Sequence, residues 1–239
     1  MRKLDNTVHG KFMPYLLHKY GANILRKSKG YEKYVVDTAV ILGNVSRSEE
    51  KLKLSLMYIK ANKDIKSIDY DLTKEKLIEF TIEDFVVRSI SVFDRVLSLI
   101  NCVLELRIPK KKIAFVSVNS KIRKHHPDLS VSLKELKKIT SKYLSDRNSI
   151  IHESTYTDRN LVKLQLISDH IQTNLLRGVE QVFDLEVLNI DSNSYIDGKL
   201  QEFDEHILNV ESAITKITNL LDSEFTKKLT HIRSKEAQT

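Results

Sequence analysis

Arg147, Asn148 and His152 form the sequence Arg-Asn-x-x-x-His, whose residue types and spacing suit phosphodiester chemistry. An arginine offers a planar fork of N–H donors to phosphate oxygens, so it stabilises the negative charge that accumulates in a transition state. A histidine with a pKa near its ordinary value of about 6.5 exchanges protons at neutral pH. Asn148 lies four residues before His152, where its amide can fix the tautomer of the imidazole.

The periodicity around the motif predicts a buried position for Arg147. A helix that begins at Ser132 and turns about 100° per residue places Arg147 in the middle of an apolar face. This face is formed by Leu133, Leu136, Ile139, Tyr143, Leu144, Ile150 and Ile151. A buried guanidinium needs acceptors, and the preceding long helix offers Glu83, Asp84 and Asp94. The alternative is that Arg147 forms only a structural ion pair and that His152 is an ordinary surface histidine.

On an ideal helix, the side chains of Arg147 and His152 point in directions about 140° apart around the helix axis. Three arrangements bring them to one substrate: the helix loosens between residues 146 and 149, the arginine side chain wraps around the helix, or the site combines two chains. RNA cleavage by the 2′-OH needs one group that takes a proton and another that gives one. Two chains supply two copies of His152, and we therefore predict a homodimer.

The elements that must position the motif are predicted to be helices, because apolar residues recur at steps of three and four throughout. Residues 1–45 contain short helical pieces bounded by glycines, and Ser46 or Ser48 caps a helix that runs to about Asn62. A long helix begins after Thr73 and is ended by Pro109. Ser132 and Glu135 form a capping box at the start of the motif helix.

Two further helices are predicted after the motif. The first follows a break near residues 154–157 and ends near residues 191–194. The second carries a narrow apolar seam that suits a long partner helix or a second subunit, and equally an ordinary contact across a bundle. The seam consists of Phe203, Ile207, Val210, Ile214, Ile217, Leu221 and Phe225.

The 239-residue chain has a formal net charge of +7 that is distributed very unevenly. Residues 107–142 carry a net charge of +9, whereas residues 180–211 carry −8. A polyanion is attracted to the basic segment, although charged runs are also typical of solvated helix faces. The predicted RNA-binding residues are Lys110, Lys111, Lys112, Lys121, Arg123 and Lys124. On the long helix, Asp84, Arg88, Ser91, Arg95 and Ser98 form a polar stripe that faces solvent, joins a hydrogen-bonded seam or lines a groove for RNA.

Several functional classes are unsupported by the sequence. Cys102 is the only cysteine, so neither an intramolecular disulfide nor a Cys-based zinc site is expected. We expect no metal or cofactor, because the chain lacks a glycine-rich phosphate loop and a His-Glu-x-x-His motif. No apolar run approaches the length of a signal peptide or a membrane helix, so we expect a cytoplasmic protein without a membrane partner.

The Arg-Asn-x-x-x-His motif follows a helical hairpin and a basic connection, which comprises residues 107–131. This motif resembles that of the HEPN superfamily. The resemblance implies a four-helix core, often dimeric, that cleaves RNA without metal. It matches Arg147 and His152 to the catalytic pair and Asn148 to the polar residue beside the arginine. The superfamily often has an acidic or amide residue on an earlier helix, for which Glu83 or Asp84 is a looser match.

We therefore predict an all-α protein in which a HEPN-like four-helix bundle (73–190) follows an N-terminal helical extension (1–72). A long C-terminal helix (194–234) packs on the bundle or on a second subunit. The leading hypothesis is a metal-independent endoribonuclease that acts as a toxin or phage-defence effector, with an antitoxin or regulator as a further partner. The alternative is a non-catalytic helical module that binds RNA or protein.

Overall fold

The computed structural model describes residues 2–65, 72–152 and 155–236, and every regular element within these ranges is helical. The all-α prediction is therefore confirmed. It succeeds because glycine and proline are sparse and because the three-four periodicity of apolar residues extends over long segments.

The chain opens with short helical elements. These are α1 (Lys3–Asp5), a π-helical segment (Asn6–Phe12), α2 (Met13–Tyr20), a 3-10 turn (Gly21–Asn23) and α3 (Ile24–Lys27). The main helices follow as α4 (Gly30–Ala61), α5 (Lys74–Val103), α6 (Phe115–Ile122), α7 (Pro127–Thr140), α8 (Leu144–His152), α9 (Arg159–Arg177) and α10 (Leu185–Glu236). Further 3-10 turns lie at Asn62–Asp64, Lys110–Lys112 and Ser141–Tyr143.

The chain divides into two compact units, of which the first comprises Met1–Glu49, Ser91–Thr140 and Asn209–Thr239. Within it Phe225 is fully buried and stacks on Tyr34, with ring centroids 5.2 Å apart. The Tyr34 hydroxyl donates a 2.8 Å hydrogen bond to the backbone carbonyl of Val103. Arg2 pairs with the buried Glu49, which fixes the start of the chain to α4.

The second unit comprises Glu50–Ile90 and Ser141–Leu208 and has an aromatic core. Phe85 stacks on Phe203 with ring centroids 3.9 Å apart, and Tyr143 packs edge-on against both rings. The Oγ of Ser89 lies 2.6 Å from Nε2 of the buried His206. Burial, together with the charge of Lys142, lowers the pKa of His206 to about 4, so the ring is neutral at neutral pH.

The predicted break between the N-terminal helices is wrong, because α4 continues through Gly43. The hydroxyl of Ser48 donates a 2.7 Å hydrogen bond to the carbonyl of Val45 inside this helix and caps nothing. A glycine within a helix costs about 1 kcal/mol relative to alanine. Burial of apolar side chains on both sides of Gly43 outweighs that cost; they include Val35, Val36, Leu42 and Val45.

The long helix α5 ends at Val103, six residues earlier than the predicted stop at Pro109. The side-chain amide of Asn101 bonds both backbone groups of Ile108, accepting from its N–H at 3.1 Å and donating to its carbonyl at 3.2 Å. The chain reverses through Glu105 and Arg107, which both have positive φ. A single amide thus folds the basic connection back onto the end of α5.

The predicted capping box at Ser132 is also wrong. The helix α7 begins earlier, at Pro127, whose fixed φ and missing N–H suit the first turn of a helix. Ser132 is therefore buried inside the helix, and the carboxylate of Glu135 pairs with Lys216 at 2.8 Å. The short helix α6 that precedes α7 begins at Phe115, after Ala114 in an extended conformation.

The helix that was predicted to end near residues 191–194 is two helices. Gly178 adopts a left-handed conformation and ends α9, and the N–H of Val179 bonds the carbonyl of Asn174 at 3.0 Å. Asp184 then caps α10 by accepting from the N–H of Glu186 at 2.7 Å. Of the break predicted near residues 154–157, Ser154 lies outside the described residues, and Thr155 to Asp158 connect α8 to α9.

The apolar seam of α10 is buried within this chain. Phe203 and Ile207 are buried in the second unit, and the seam residues from Val210 to Phe225 are buried in the first unit. This outcome corresponds to the ordinary intramolecular contact that the sequence left open. The seam therefore offers no surface to a second subunit.

Candidate functional site

The motif residues lie on α8, which buries none of its residues. Arg147 is half-buried, whereas Asn148 and His152 are exposed. The guanidinium of Arg147 donates a 3.0 Å hydrogen bond to the side-chain oxygen of Asn148. The structure therefore brings Arg147 and Asn148 together and presents His152 at the end of the same helix.

The predicted burial of Arg147 is wrong, because α8 buries none of its residues and Arg147 is half-buried; the helix also changes its winding before the motif. Residues Ser141–Tyr143 form a 3-10 turn, which advances about 120° per residue, in contrast to about 100° in an α-helix. Over three residues the side-chain directions gain roughly 60°. The apolar stripe extrapolated from α7 consequently does not continue onto α8.

The acidic residues proposed as supporting groups bind elsewhere. Glu83 Oε1 accepts a 2.7 Å hydrogen bond from the backbone N–H of Tyr156. Asp84 Oδ2 accepts from Arg88 Nε at 2.7 Å and from the Ser55 hydroxyl at 2.6 Å. Neither carboxylate bonds Arg147 in the described part of the chain. Glu83 therefore orients the segment that follows the motif helix.

Described residues before and after α8 are anchored to longer helices of the second unit. Before α8, the Tyr143 hydroxyl donates to the Glu202 carboxylate at 3.0 Å, and Lys142 pairs with the same carboxylate at 3.0 Å. After α8, Tyr156 is held on α5 by Glu83. Tyr143 and Tyr156, which flank α8, are therefore held on α10 and α5 respectively.

Glu202 is the centre of the anchor on α10. Burial alone would raise the pKa of Glu202, but hydrogen bonding from Lys142 and the charge of Lys199 outweigh burial and hold the pKa below its usual range. Burial likewise opposes the charged form of Lys199, whereas Tyr156 and Glu202 raise its pKa above the ordinary value. Both groups are therefore ionised at neutral pH, and they lie 3.1 Å apart.

A cavity of about 480 Å³ lies beside this anchor, between α9 and α10. The side chain of Lys199 is 16% exposed, and its ammonium lies 5.7 Å from the ring centroids of both Tyr156 and Tyr195. Asp158, which caps α9, is 3.7 Å from the same ammonium. The sequence reasoning missed these residues, although Tyr195, Lys199 and Glu202 recur at helical spacing. The cavity is of a size that accommodates small molecules, and its lining mixes positive and negative groups.

A family model described as HEPN_Cthe2314-like HEPN matches residues 68–191, just over half of the chain. The chain belongs to the HEPN superfamily. The HEPN match includes the motif on α8 as well as Glu83 and Tyr156, so α8 lies within the family segment. No curated protein and no solved structure matches the chain.

The predicted RNA-binding residues lie in the first unit, within the matched range, and are all exposed. Lys110, Lys111 and Lys112 form one 3-10 turn, and Lys121 donates a 2.6 Å hydrogen bond to the carbonyl of Leu106. These cations are available to a polyanion from solvent.

Within residues 2–65, 72–152 and 155–236, no three His, Cys, Asp or Glu side chains cluster as they would around a metal ion. In the same ranges, no helix has the length and apolar character that crossing a membrane requires.

Proposed function

We propose that this chain is a metal-independent endoribonuclease of the HEPN type that acts as a toxin or phage-defence effector. The observation that carries the proposal is the accessibility of Arg147 and His152 on α8, a helix that lies within the HEPN match between the anchored Tyr143 and Tyr156. Residues 73–190 form the catalytic bundle of the proposal, flanked by the extension 1–72 and the helix 194–234. The residues of that last helix belong to α10, which begins at Leu185.

In the proposed reaction the 2′-OH of RNA attacks the adjacent phosphorus, and the bond from phosphorus to the 5′-oxygen breaks. His152 takes the proton of the 2′-OH, and a second proton goes to the leaving 5′-oxygen. Arg147 stabilises the charge on the non-bridging oxygens, and Asn148 holds the Arg147 fork in place through the bond seen in the structure. The products are a 2′,3′-cyclic phosphate and a 5′-OH.

The proposal includes a homodimer, because each chain supplies one motif histidine and the reaction moves two protons. The exposure of His152 is compatible with a contribution from each of two chains. The basic surface from Lys110 to Lys124 binds the RNA strand, and an antitoxin or regulator restrains the activity. The location of the enzyme in the cytoplasm is part of the same proposal.

The test is cleavage of a defined single-stranded RNA by purified protein in excess EDTA. We expect cleavage to require the 2′-OH at the scissile position, so a single deoxyribose blocks it. His152→Ala loses about 10²- to 10⁴-fold in rate, as is typical when a general acid-base group is removed. Arg147→Ala loses most of its activity, and Asn148→Ala is milder because the imidazole remains.

The matched controls are His170→Ala and Arg177→Ala, which remove exposed residues of the same types from α9. Both should cleave at the wild-type rate. Because Arg147 bonds Asn148 and α8 buries no residue, Arg147→Ala should also melt close to wild type. RNA binding without cleavage in the wild type would favour the non-catalytic module. Unchanged cleavage in both motif variants would reject the site.

A further inference from the structure

A second cavity, of about 380 Å³, lies in the first unit where α4, α5 and the basic connection meet. Its apolar wall consists of Ile41, Ile108 and Ile113. Its polar lining contains two cations, Arg95 and Lys110, together with Asn44, Ser98, Asn101 and Cys102. The cavity is thus amphipathic, with a cationic rim and an aliphatic wall.

The electrostatics of this cavity favour an anion. Its lining contains no carboxylate, and among the described residues neither Arg95 nor Lys110 forms an ion pair. The acids whose charges act on Cys102 are already paired: Asp37 with Lys33 at 2.9 Å, and Glu105 with Lys228 at 3.1 Å. The lining therefore carries two positive charges and no negative one.

The cavity is also shaped before any ligand arrives. Asn101 uses its amide to hold Ile108, which fixes the apolar wall against α5. The Asn44 side chain accepts a 2.8 Å hydrogen bond from Arg47 through its oxygen, which leaves its N–H₂ group to donate. Such preorganised donors bind a ligand with a smaller loss of conformational freedom.

We propose that this cavity binds a small phosphate monoester that carries an apolar group. Arg95 and Lys110 hold the phosphate, because an arginine fork and an ammonium are the side chains that best match its oxygens. The apolar group contacts Ile41, Ile108 and Ile113. This site is separate from the motif of α8, and the proposal stands whether or not the chain is a ribonuclease.

The lone cysteine makes the occupancy of this cavity measurable. Cys102 lines the cavity, is half-buried, and is the only thiol in the chain. Burial raises the pKa of the thiol, so its alkylation at neutral pH is slow enough to follow. A ligand in the cavity covers the thiol and slows alkylation.

The experiment measures the rate of Cys102 alkylation by iodoacetamide in the full chain by intact mass spectrometry. The probes are phenyl phosphate, inorganic phosphate, phenol and a single-stranded deoxyoligonucleotide. We expect phenyl phosphate to protect at lower concentration than inorganic phosphate or phenol. At nine times its dissociation constant it should slow alkylation about tenfold, because one molecule in ten remains free.

Arg95→Gln should weaken the binding of phenyl phosphate at least about tenfold, since a charge-assisted hydrogen bond is lost. Arg26→Gln is the matched control, because it removes an exposed arginine of the same unit that is not part of the cavity lining. Calorimetric titration of both variants provides a readout that is independent of the thiol, and thermal melts confirm that each is folded.

Protection by phenyl phosphate that Arg95→Gln weakens and Arg26→Gln does not would support the proposal. It is overturned if phenyl phosphate gives no protection, or if both variants weaken binding equally. Protection by the oligonucleotide but not by phenyl phosphate also overturns it, and assigns the cavity to a nucleic-acid surface.

Discussion

Substitutions of Glu83 distinguish a role in positioning the chain after the motif helix from a role in catalysis. The Glu83 carboxylate accepts a 2.7 Å hydrogen bond from the backbone N–H of the buried Tyr156, just after the motif helix. Removing the acceptor in Glu83→Ala leaves that N–H unsatisfied. Hydrogen bonds to charged groups contribute about 1.5–3 kcal/mol to stability. For a chain of this length each kcal/mol lowers the Tm by about 2–4 °C, so we expect a decrease of about 3–12 °C.

Glu83→Gln has a different expected outcome, because the glutamine side-chain oxygen still accepts from the N–H of Tyr156. We expect this variant to lose less than half of the stability lost by Glu83→Ala. It should also retain most of the cleavage rate, because a positioning group needs an acceptor and not a proton. The assay is thermal unfolding followed by circular dichroism, run beside the RNA-cleavage assay on the same preparations.

The matched control is Glu79→Ala, one turn earlier on α5. Glu79 accepts a 3.0 Å hydrogen bond from the side chain of Gln165, which can turn to water when its partner is removed. It should therefore destabilise less than Glu83→Ala. A positioning role for Glu83 is refuted if the Tm of Glu83→Ala lies within about 1 °C of the wild-type Tm. It is also refuted if Glu83→Gln melts like wild type but is inactive, since Glu83 would then act through its proton.

Three further predictions concern the core, the basic surface and pH. Phe225→Ala should destabilise the chain by about 3–5 kcal/mol in denaturant unfolding, because Phe225 is fully buried. Light scattering should show an unchanged oligomeric state for this variant, because the apolar seam of α10 is internal. Replacing Lys110, Lys111 and Lys112 by Gln should weaken RNA binding and reduce the salt-dependence slope by about 2, as expected for three lost contacts to a single strand; an unchanged slope would exclude this surface. The pKa of buried His206 is about 4 in the folded state and lies below its ordinary value, so the stability that depends on the neutral ring is full above about pH 6.5 and is lost as the pH falls towards 4. His206→Gln should abolish that part of the loss in urea titrations at pH 7 and pH 5, and equal losses in both proteins would contradict the assignment.

The helical class, the motif and the segregation of charge could all be predicted from the amino-acid sequence. Local properties decide these features: sparse glycine and proline, steps of three and four between apolar residues, and the chemistry of Arg147 and His152. The same local information predicts which segments are helical, and it found the long helix that begins after Thr73. The HEPN resemblance, carried by six residues, was confirmed by the family match.

The ends of the helices and the contacts of their faces depend on packing between segments that are distant in the sequence. Gly43 remains helical because distant segments bury the side chains around it, and Asn101 ends α5 by binding a residue seven positions later. A 3-10 turn separates α7 from α8, and α8 buries none of its residues, so the apolar face predicted around Arg147 is not buried. Glu83 bonds a backbone group 73 residues away, and the seam of α10 is covered by the chain itself. Contacts between distant segments fix these features, and periodicity records only the spacing of residues along one helix.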